Sequence, residues 1–530
     1  MNNRHARHHL LALVFCCAGV LAKDPAPLPA PSNLAELRAR LGEHVNQARF
    51  AAAQWGVAVV SLDTGKPLFG WNAGKLLVPA STAKLFTAAL ALDRLGPDFR
   101  ARTSLYVALR PSEAGVLRGD LVLYGRGDPA IAARFSSGDL GRALGPLAER
   151  LAAAGVKRIQ GDLVADDTFF AGPPHGTGWE WDDLVYGYGA EVSALTLNDN
   201  ALEVQVRPAA RVGQPALLGL SPATDFLTIR NRTSTAPAGT PRALRFHRSP
   251  DRNILVVSGS IPLNDSGYTE SISVHQPARW FGLELKRALV QHGIALTGRV
   301  RASDGLEDRA ARPGANGLIE LAGQDSPPLR ELLGMMLKPS QNLHAQLLLL
   351  QVGARAAQTS GVAAREAHPA SDSDGAPAAS TEALGLRALQ SFCREAGVDP
   401  GEVLLEEGAG LSRRDLMTPA ALVKLLEFMD KHPHGKVFRE ALPLAGAEGT
   451  LKDRMTDTPA AGNARAKTGT LSRVHGLAGY VTTLARERLA FALLLNQYQA
   501  PAGGPAPRAD LDAIVVMLAG LNWRSSAGAE

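Results

Sequence analysis

The sequence predicts a mixed α/β (α+β) protein in which an antiparallel sheet is flanked by helices and a large β-rich insertion splits the chain of that domain. Three observations predict it. The opening residues read helix, hairpin, helix; the closing residues read three strand-like runs at hairpin spacing and then a helix. Between Thr103 and Leu318 short β-like runs alternate with turns, a texture unlike either flank. Hairpins pair their strands antiparallel, so the two ends are expected to complete one sheet.

Each element has its own reason. Asn33 is placed to cap a helix carrying Leu34, Leu37, Leu41 and Val45 at helical spacing. Trp55 to Leu62 reads as a strand, Asp63-Thr64-Gly65-Lys66 as its turn, and Pro67 to Trp71 as the return. From Ser81 an Ala/Leu-rich pattern is helical. The middle region shows β-like runs at 104–109, 117–124, 159–165, 201–206, 225–229, 254–259 and 271–274, with helical patterns near 140–154 and 279–292. Gly125-Arg126-Gly127-Asp128-Pro129 reads as a tight turn and not a phosphate cradle, because no helix-opening Gly-Lys-Ser/Thr follows. Helical texture resumes at 326–351. Residues 356–380 are Ala/Ser/Gly/Asp-rich without apolar period, which predicts a disordered surface loop. Helices follow at 381–396 and 418–431, the second with Thr418 as N-cap and Pro419 as first residue. Strands at 462–471, 477–483 and 489–495 and a helix at 508–521 close the chain.

Composition narrows the function classes. A chain of 530 residues calls for two or three domains, and 45% hydrophobic with 20% charged residues describes a globular protein. The formal net charge of +5 is mild and no basic stripe is interleaved with aromatics, so no nucleic-acid partner is expected. Neither His-Glu-x-x-His nor Cys-x-x-Cys occurs, and neither a metal nor another cofactor is expected. Arg4 and Arg7 ahead of the apolar run 10–21, then Val20-Leu21-Ala22, predict a secretory signal peptide at residues 1–22. That run is too short to span a bilayer, so no transmembrane segment is expected. Cys16-Cys17 opens a lipoprotein alternative, but Phe15 is a poor residue before a lipidated cysteine, and cleavage after Ala22 is the reading adopted. His5, His8 and His9 fall in the removed segment. Cys393 is then single, cannot form an internal bridge, and reads as a buried inert thiol.

Chemistry concentrates in three places. Pro79-Ala80-Ser81-Thr82-Ala83-Lys84 puts a hydroxyl and an amine three apart at a helix start, where they share a face. A desolvated lysine can take the proton of a serine and turn it into a nucleophile. By itself the pair reads as an N-capping serine with a solvated lysine. Ser340-Gln341-Asn342 follows a helical run, 329–337, broken at Pro339, and Lys467-Thr468-Gly469-Thr470 precedes two apolar strand-like runs. The ordered trio resembles the active site of penicillin-binding proteins and serine β-lactamases.

Three further stretches narrow the resemblance: 188–195 (Tyr-Gly-Ala-Glu-Val-Ser-Ala-Leu), 407–413 (Glu-Gly-Ala-Gly-Leu-Ser-Arg) and 444–451 (Leu-Ala-Gly-Ala-Glu-Gly-Thr-Leu). From about residue 34 to 521 the chain resembles the class C, low-molecular-mass penicillin-binding proteins of the peptidase S13 family, D-alanyl-D-alanine carboxypeptidases and endopeptidases. The resemblance implies a penicillin-binding/β-lactamase-like transpeptidase domain from residues 33–102 and 319–525. It implies an inserted domain II from 103–126 and 214–318, and an inserted domain III from 127–213.

It also implies roles. Ser81 is the expected nucleophile on the penultimate D-alanyl carbonyl of a peptidoglycan stem peptide, and Lys84 its base. Ser340 relays a proton to the leaving amine, Asn342 orients Lys84 and the substrate amide, and Lys467 with Thr468 holds the terminal carboxylate. Gly469 leaves room for close backbone approach. The N–H groups of Ser81 and Thr470 form the oxyanion hole. Asp183, Tyr188 and Arg413 resemble a subsite for the free end of the stem-peptide side chain; a turn with a surface carboxylate is the plainer alternative. β-Lactam antibiotics are implied as covalent inhibitors and the periplasm as the location. Three positions depart from the family pattern: Gln341, Glu407 and Ala409 stand where Asp, Asp and Ser are usual. A β-lactamase is the nearest rival, but no convincing loop supplies the glutamate that class A enzymes use for deacylation. A wall-binding scaffold with a vestigial site is the rival of another class.

Overall fold

Strands from the two ends of the chain lie side by side. In the computed structural model, which describes residues 31–303, 317–360 and 379–526, Gln54–Ser61 pairs antiparallel with Arg488–Asn496 along its whole length. The sheet runs Arg465–Leu471, Val474–Thr482, Arg488–Asn496, Gln54–Ser61, Pro67–Trp71, all antiparallel. The expected signal peptide lies outside the described residues, and among those no helix is long and apolar enough to cross a membrane.

Helices cover both faces of this sheet, and the strands show it. In Arg488–Asn496, Leu489, Phe491, Leu493 and Leu495 join one core while Ala490, Ala492 and Leu494 join the other. A strand buried on both sides reads as a continuous apolar run. The first core takes in the helix Leu34–Val45, capped by Asn33 through the Glu36 amide at 2.8 Å, and the helix Pro507–Gly520. The second takes in the helices Lys84–Leu95, Leu329–Leu337, Asn342–Ser360 and Pro419–Lys431. Thr418 caps the last of these with Pro419 at its first position, as expected.

The insertion is divided differently from the expected 103–126/214–318 and 127–213. Leu163–Asp166 pairs parallel with Leu121–Tyr124 and with Val300–Ala302, in a five-stranded sheet completed by Arg102–Val107 and Ile319–Asp325. A parallel pair needs a crossover, and the helix Leu140–Ala153 supplies it. A boundary at 127 would cut that strand–helix–strand unit in two. Residues 201–273 form two three-stranded sheets of their own. Their Leu202, Val204, Leu255 and Ile272 share one core with Leu105, Leu121, Leu163 and Trp280. Because Ile319–Asp325 belongs to the inserted sheet, the chain returns to the catalytic domain after Asp325 and not at 319.

The expected loop at 356–380 is corrected at its start. The helix from Asn342 runs on through Ser360, since Ala and Gln favour helix even where no core face marks the period. Residues 361–378 lie outside the described residues, and Ser380 already caps the next helix, Thr381–Glu395.

Candidate active site

Ser81 stands where three elements meet. Residues Ala80–Ala83 form a tight 3₁₀ turn that opens into the Lys84–Leu95 helix, with Ala80 at φ +48° and the Thr82 hydroxyl bonded to Pro79 O at 2.7 Å. This turn leaves Ser81 half-buried and rolls Lys84 fully inside. Lys84 Nζ lies 2.7 Å from Ser81 Oγ, 2.6 Å from Asn342 Oδ1 and 2.6 Å from Ala409 O. Its reach is filled, and none of its partners is a carboxylate. Burial outweighs the pull of Glu407 and Asp415 and brings its pKa down to about 7.

Ser340 owes its place to a helix end. After Leu329–Leu337 the Gln341 amide reaches back to Met336 O at 2.9 Å, a closure that puts Ser340 at φ +66°. Glycine normally takes such a position, so a serine there is strained and marks a functional side chain. Gln341 Oε1 accepts from the Leu343 amide at 3.0 Å and so caps the helix that begins at Asn342. The usual Asp can do the same, which makes this departure a mild one. Asn342 accepts from Lys84 and donates its Nδ2 to Tyr188 O at 2.9 Å. The expected contact to Lys84 is present; the amide N–H₂ meets the inserted domain.

The third element is the edge strand of the sheet. Lys467 Nζ donates to Ser340 Oγ at 2.8 Å and to Thr468 O at 2.7 Å, and it is as buried as Lys84. Burial first, and then the charge of Lys84, holds it well below the usual lysine value. Thr468 Oγ1 donates to Thr450 Oγ1 at 2.8 Å. A Cβ at Gly469 would stand 2.7 Å from Pro79 O and 3.2 Å from Ser81 N, so only glycine lets the strand and the nucleophile's turn lie this close. Thr470 follows on the same strand with its side chain exposed.

The inserted domain forms the rim. Asp183 accepts the Tyr188 hydroxyl, and burial raises the carboxyl against that bond. Tyr188 stacks on Tyr186 with centroids 5.4 Å apart. Arg413 bonds Glu180 at 3.2 Å and Ser472 O at 3.2 Å, tying the rim to the catalytic sheet. The three rim residues expected from the sequence thus stand on one side of the cleft, joined by a fourth, Glu180. The same domain grips the Asn342–Ser360 helix lower down, where His344 bonds Asp199 at 3.0 Å and Arg134 at 3.2 Å. The contacts made by the Thr450 hydroxyl, Ala409 O, Tyr188 O, Asp415 and His344 were not read from the sequence. Backbone carbonyls carry no residue signature, and the others have no fixed spacing to the trio.

Volume does not pick this site. A cleft of about 980 Å³ opens between Asp251, His275 and Arg287 of the insertion, but no buried amine faces a hydroxyl there. Among the described residues no group of His, Cys, Asp and Glu is arranged to hold a metal ion. Cys393 is buried, and burial pushes its thiol up to about 12.

A serine and two desolvated amines on this helix–sheet frame define a penicillin-binding class of serine acyl-transfer hydrolase. Residues 37–521 match the family model described as the D-Ala-D-Ala carboxypeptidase 3 (S13) family, and the chain belongs to that family. It is 34% identical over 512 residues to a D-alanyl-D-alanine carboxypeptidase of Actinomadura sp. (strain R39), covering 94% of this chain and 88% of the relative. It is 27% identical to the D-alanyl-D-alanine carboxypeptidase DacB of Haemophilus influenzae over 89% of this chain and 90% of that one. The crystal structure of penicillin binding protein 4 (dacB) from Haemophilus influenzae superposes with a TM-score of 0.74 at 25% identity, covering 91% of this chain and 97% of that chain.

Proposed function

We propose that this protein hydrolyses D-alanyl-D-alanine ends and cross-links of peptidoglycan stem peptides through an acyl-enzyme on Ser81, and that β-lactams stall it there. The observation that carries the reading is Lys84 Nζ, fully buried and within 2.7 Å of Ser81 Oγ with no carboxylate as direct partner. Such an amine is neutral for part of the time near neutral pH and takes the Ser81 proton as Oγ bonds to the carbonyl carbon. The developing oxyanion is received by the N–H groups of Ser81 and Thr470, each donor of this kind being worth ~3 kcal/mol. The proton passes by way of Ser340, which Lys467 holds, to the departing nitrogen. The C–N bond breaks and D-alanine, or the cross-linking donor amine, leaves. Water then attacks the ester and returns Ser81 to its hydroxyl form.

Lys467 and Thr468 suit the terminal carboxylate of the substrate, the first by charge and the second by its hydroxyl. The rim of Glu180, Asp183, Tyr188 and Arg413 suits a stem-peptide side chain that ends in charge. Secretion across the inner membrane to the periplasm follows from the substrate and from the leader-like residues 1–22.

Labelling with a fluorescent penicillin tests the core of this. Wild type takes label and Ser81→Ala does not; equal labelling of both removes Ser81 from its role. Product masses from a monomeric pentapeptide and from a cross-linked dimer then apportion carboxypeptidase and endopeptidase action.

A further inference from the structure

Below Lys84 sit two carboxyl groups that no reacting atom touches. Glu407 and Asp415 are both fully buried, and a negative charge on either pulls on the Lys84 proton against the effect of burial. Glu407 accepts the amides of Ala409 at 2.6 Å and Leu411 at 2.7 Å, so the loop winds around its carboxylate. That winding turns Ala409 O toward Lys84 Nζ. Two outside contacts lock it: Thr87 Oγ1 donates to Gly408 O at 2.6 Å, and Gln346 Oε1 accepts the Gly408 amide at 2.8 Å.

Asp415 Oδ1 accepts the Glu406 amide at 2.8 Å, but its Oδ2 is buried with no donor facing it. The group within bonding reach is the Glu407 carboxyl. Two ionised carboxylates are acceptors only and cannot bond each other, and like charges in one dry site do not both persist. Backbone amides favour the charge on Glu407; burial and that charge together drive Asp415 well above the usual carboxylate range. The pair therefore holds one proton, on Asp415, and one negative charge.

The other groups around Lys84 leave this charge uncontested. From the strand comes Lys467; from the Asn342–Ser360 helix the neutral Asn342; from its own turn Ser81. Glu406 is paired with Arg414 at 2.6 Å, and Glu382 is bonded to Thr177 at 3.1 Å.

We infer that the Glu407–Asp415 pair is a one-proton counter-charge that sets the protonation state of Lys84. This rests on the reading of Lys84 as the base of Ser81. Both carboxyls are positioning residues. Glu407 steadies the ammonium that Lys84 becomes during attack, and Asp415 keeps a second negative charge from locking the amine in that form beforehand.

The test is the pH dependence of the second-order rate of Ser81 acylation by a fluorescent penicillin, measured on the full chain. Glu407→Gln moves the acid limb to lower pH by roughly one unit or more, because an amine without its negative neighbour stays neutral further into acid. Glu407→Asp, which keeps the charge, brings the limb back toward wild type. Asp415→Asn leaves the limb in place, since its amide donates the bond that the acid's O–H donated. An unmoved limb in Glu407→Gln overturns the inference, and so does an Asp415→Asn limb that shifts as Glu407→Gln should. Carbon NMR of the Asp415 carboxyl in wild type decides the matter without relying on any variant's folding: a protonated carboxyl at neutral pH supports it, an ionised one overturns it. Failure of wild type to acylate at all would instead sink the role of Ser81, and the NMR result would still stand.

Discussion

Two polar clusters border the cleft, and they differ in how dry they are. Lys84, Lys467 and Asn342 are buried and each has at least two hydrogen-bond partners. Glu180, Arg413 and Tyr188 are exposed by comparison, the side chains of the Arg413–Glu180 pair to 38% and 46% and Tyr188 to 45%. In the dry cluster charges are expensive and proton affinities move by units; at the rim they are cheap and screened. On the proposed function, the difference suits the first to bond-making and the second to selection among substrates.

Predictions that would break or sharpen this contrast run from the dry side outward. The largest effect belongs to Ser81→Ala, which removes both penicillin labelling and D-alanine release. Next, replacing Lys84 by Met lowers the acylation rate by roughly 10²–10⁴-fold, the range for loss of a general base, while the wild-type rate falls on the acid side of a limb near pH 7. The sign is set by burial: below that pH the amine is charged and cannot accept the Ser81 proton. Stopped-flow acylation across pH reads both. Gly469→Ala comes third. The added carbon meets Pro79 O at 2.7 Å, pushes the strand off the nucleophile's turn, and costs on the order of 10²–10³ in kcat with one oxyanion donor displaced.

At the rim the effect is smaller and of another kind. Arg413→Ala and Asp183→Asn raise KM for a stem peptide with a charged side chain several-fold and leave the penicillin acylation rate near wild type. The penalty shrinks in high salt, because these groups lie within reach of counter-ions. Steady-state kinetics at two ionic strengths checks it. An equal loss in both assays would mean that the rim also shapes the dry cluster, through the Tyr188 carbonyl on Asn342. The smallest effect is on stability. Burial and Arg134 bring the His344 pKa from 6.5 to about 3, so the unfolded chain binds a proton that the folded one refuses. Stability is therefore lost as pH falls from 6.5 toward 3, and His344→Gln flattens part of that fall in thermal melts.

Much of the frame was legible because its chemistry dictates residue types. The Asn33 cap, the Thr418-Pro419 start and the three closing strands carry local signals that burial reinforces. The trio of Ser81, Ser340 and Lys467 was legible for a different reason: the roles proposed for them, nucleophile, relay and carboxylate anchor, allow few substitutes. What escaped was either non-local or silent. The parallel pairing of Leu163–Asp166 depends on a crossover helix whose sequence looks like any amphipathic helix. Strands Leu217–Ser221 and Ala243–Arg248 bury their alternate residues Leu218, Leu220, Leu244 and Phe246 only in part, so the alternation they carry is short and weak. The boundary expected at 127 falls inside that same crossover unit, between Leu121–Tyr124 and Leu163–Asp166.

The missing carbon at position 469 has a consequence for drug resistance. A cell can exclude a bulky antibiotic by narrowing the gap between the edge strand and the serine, but a Cβ at 469 would already stand 2.7 Å from Pro79 O, so the gap has no slack to give. Adaptive change is thereby steered away from the centre, toward rim residues that the antibiotic need not meet, or toward making less of the protein.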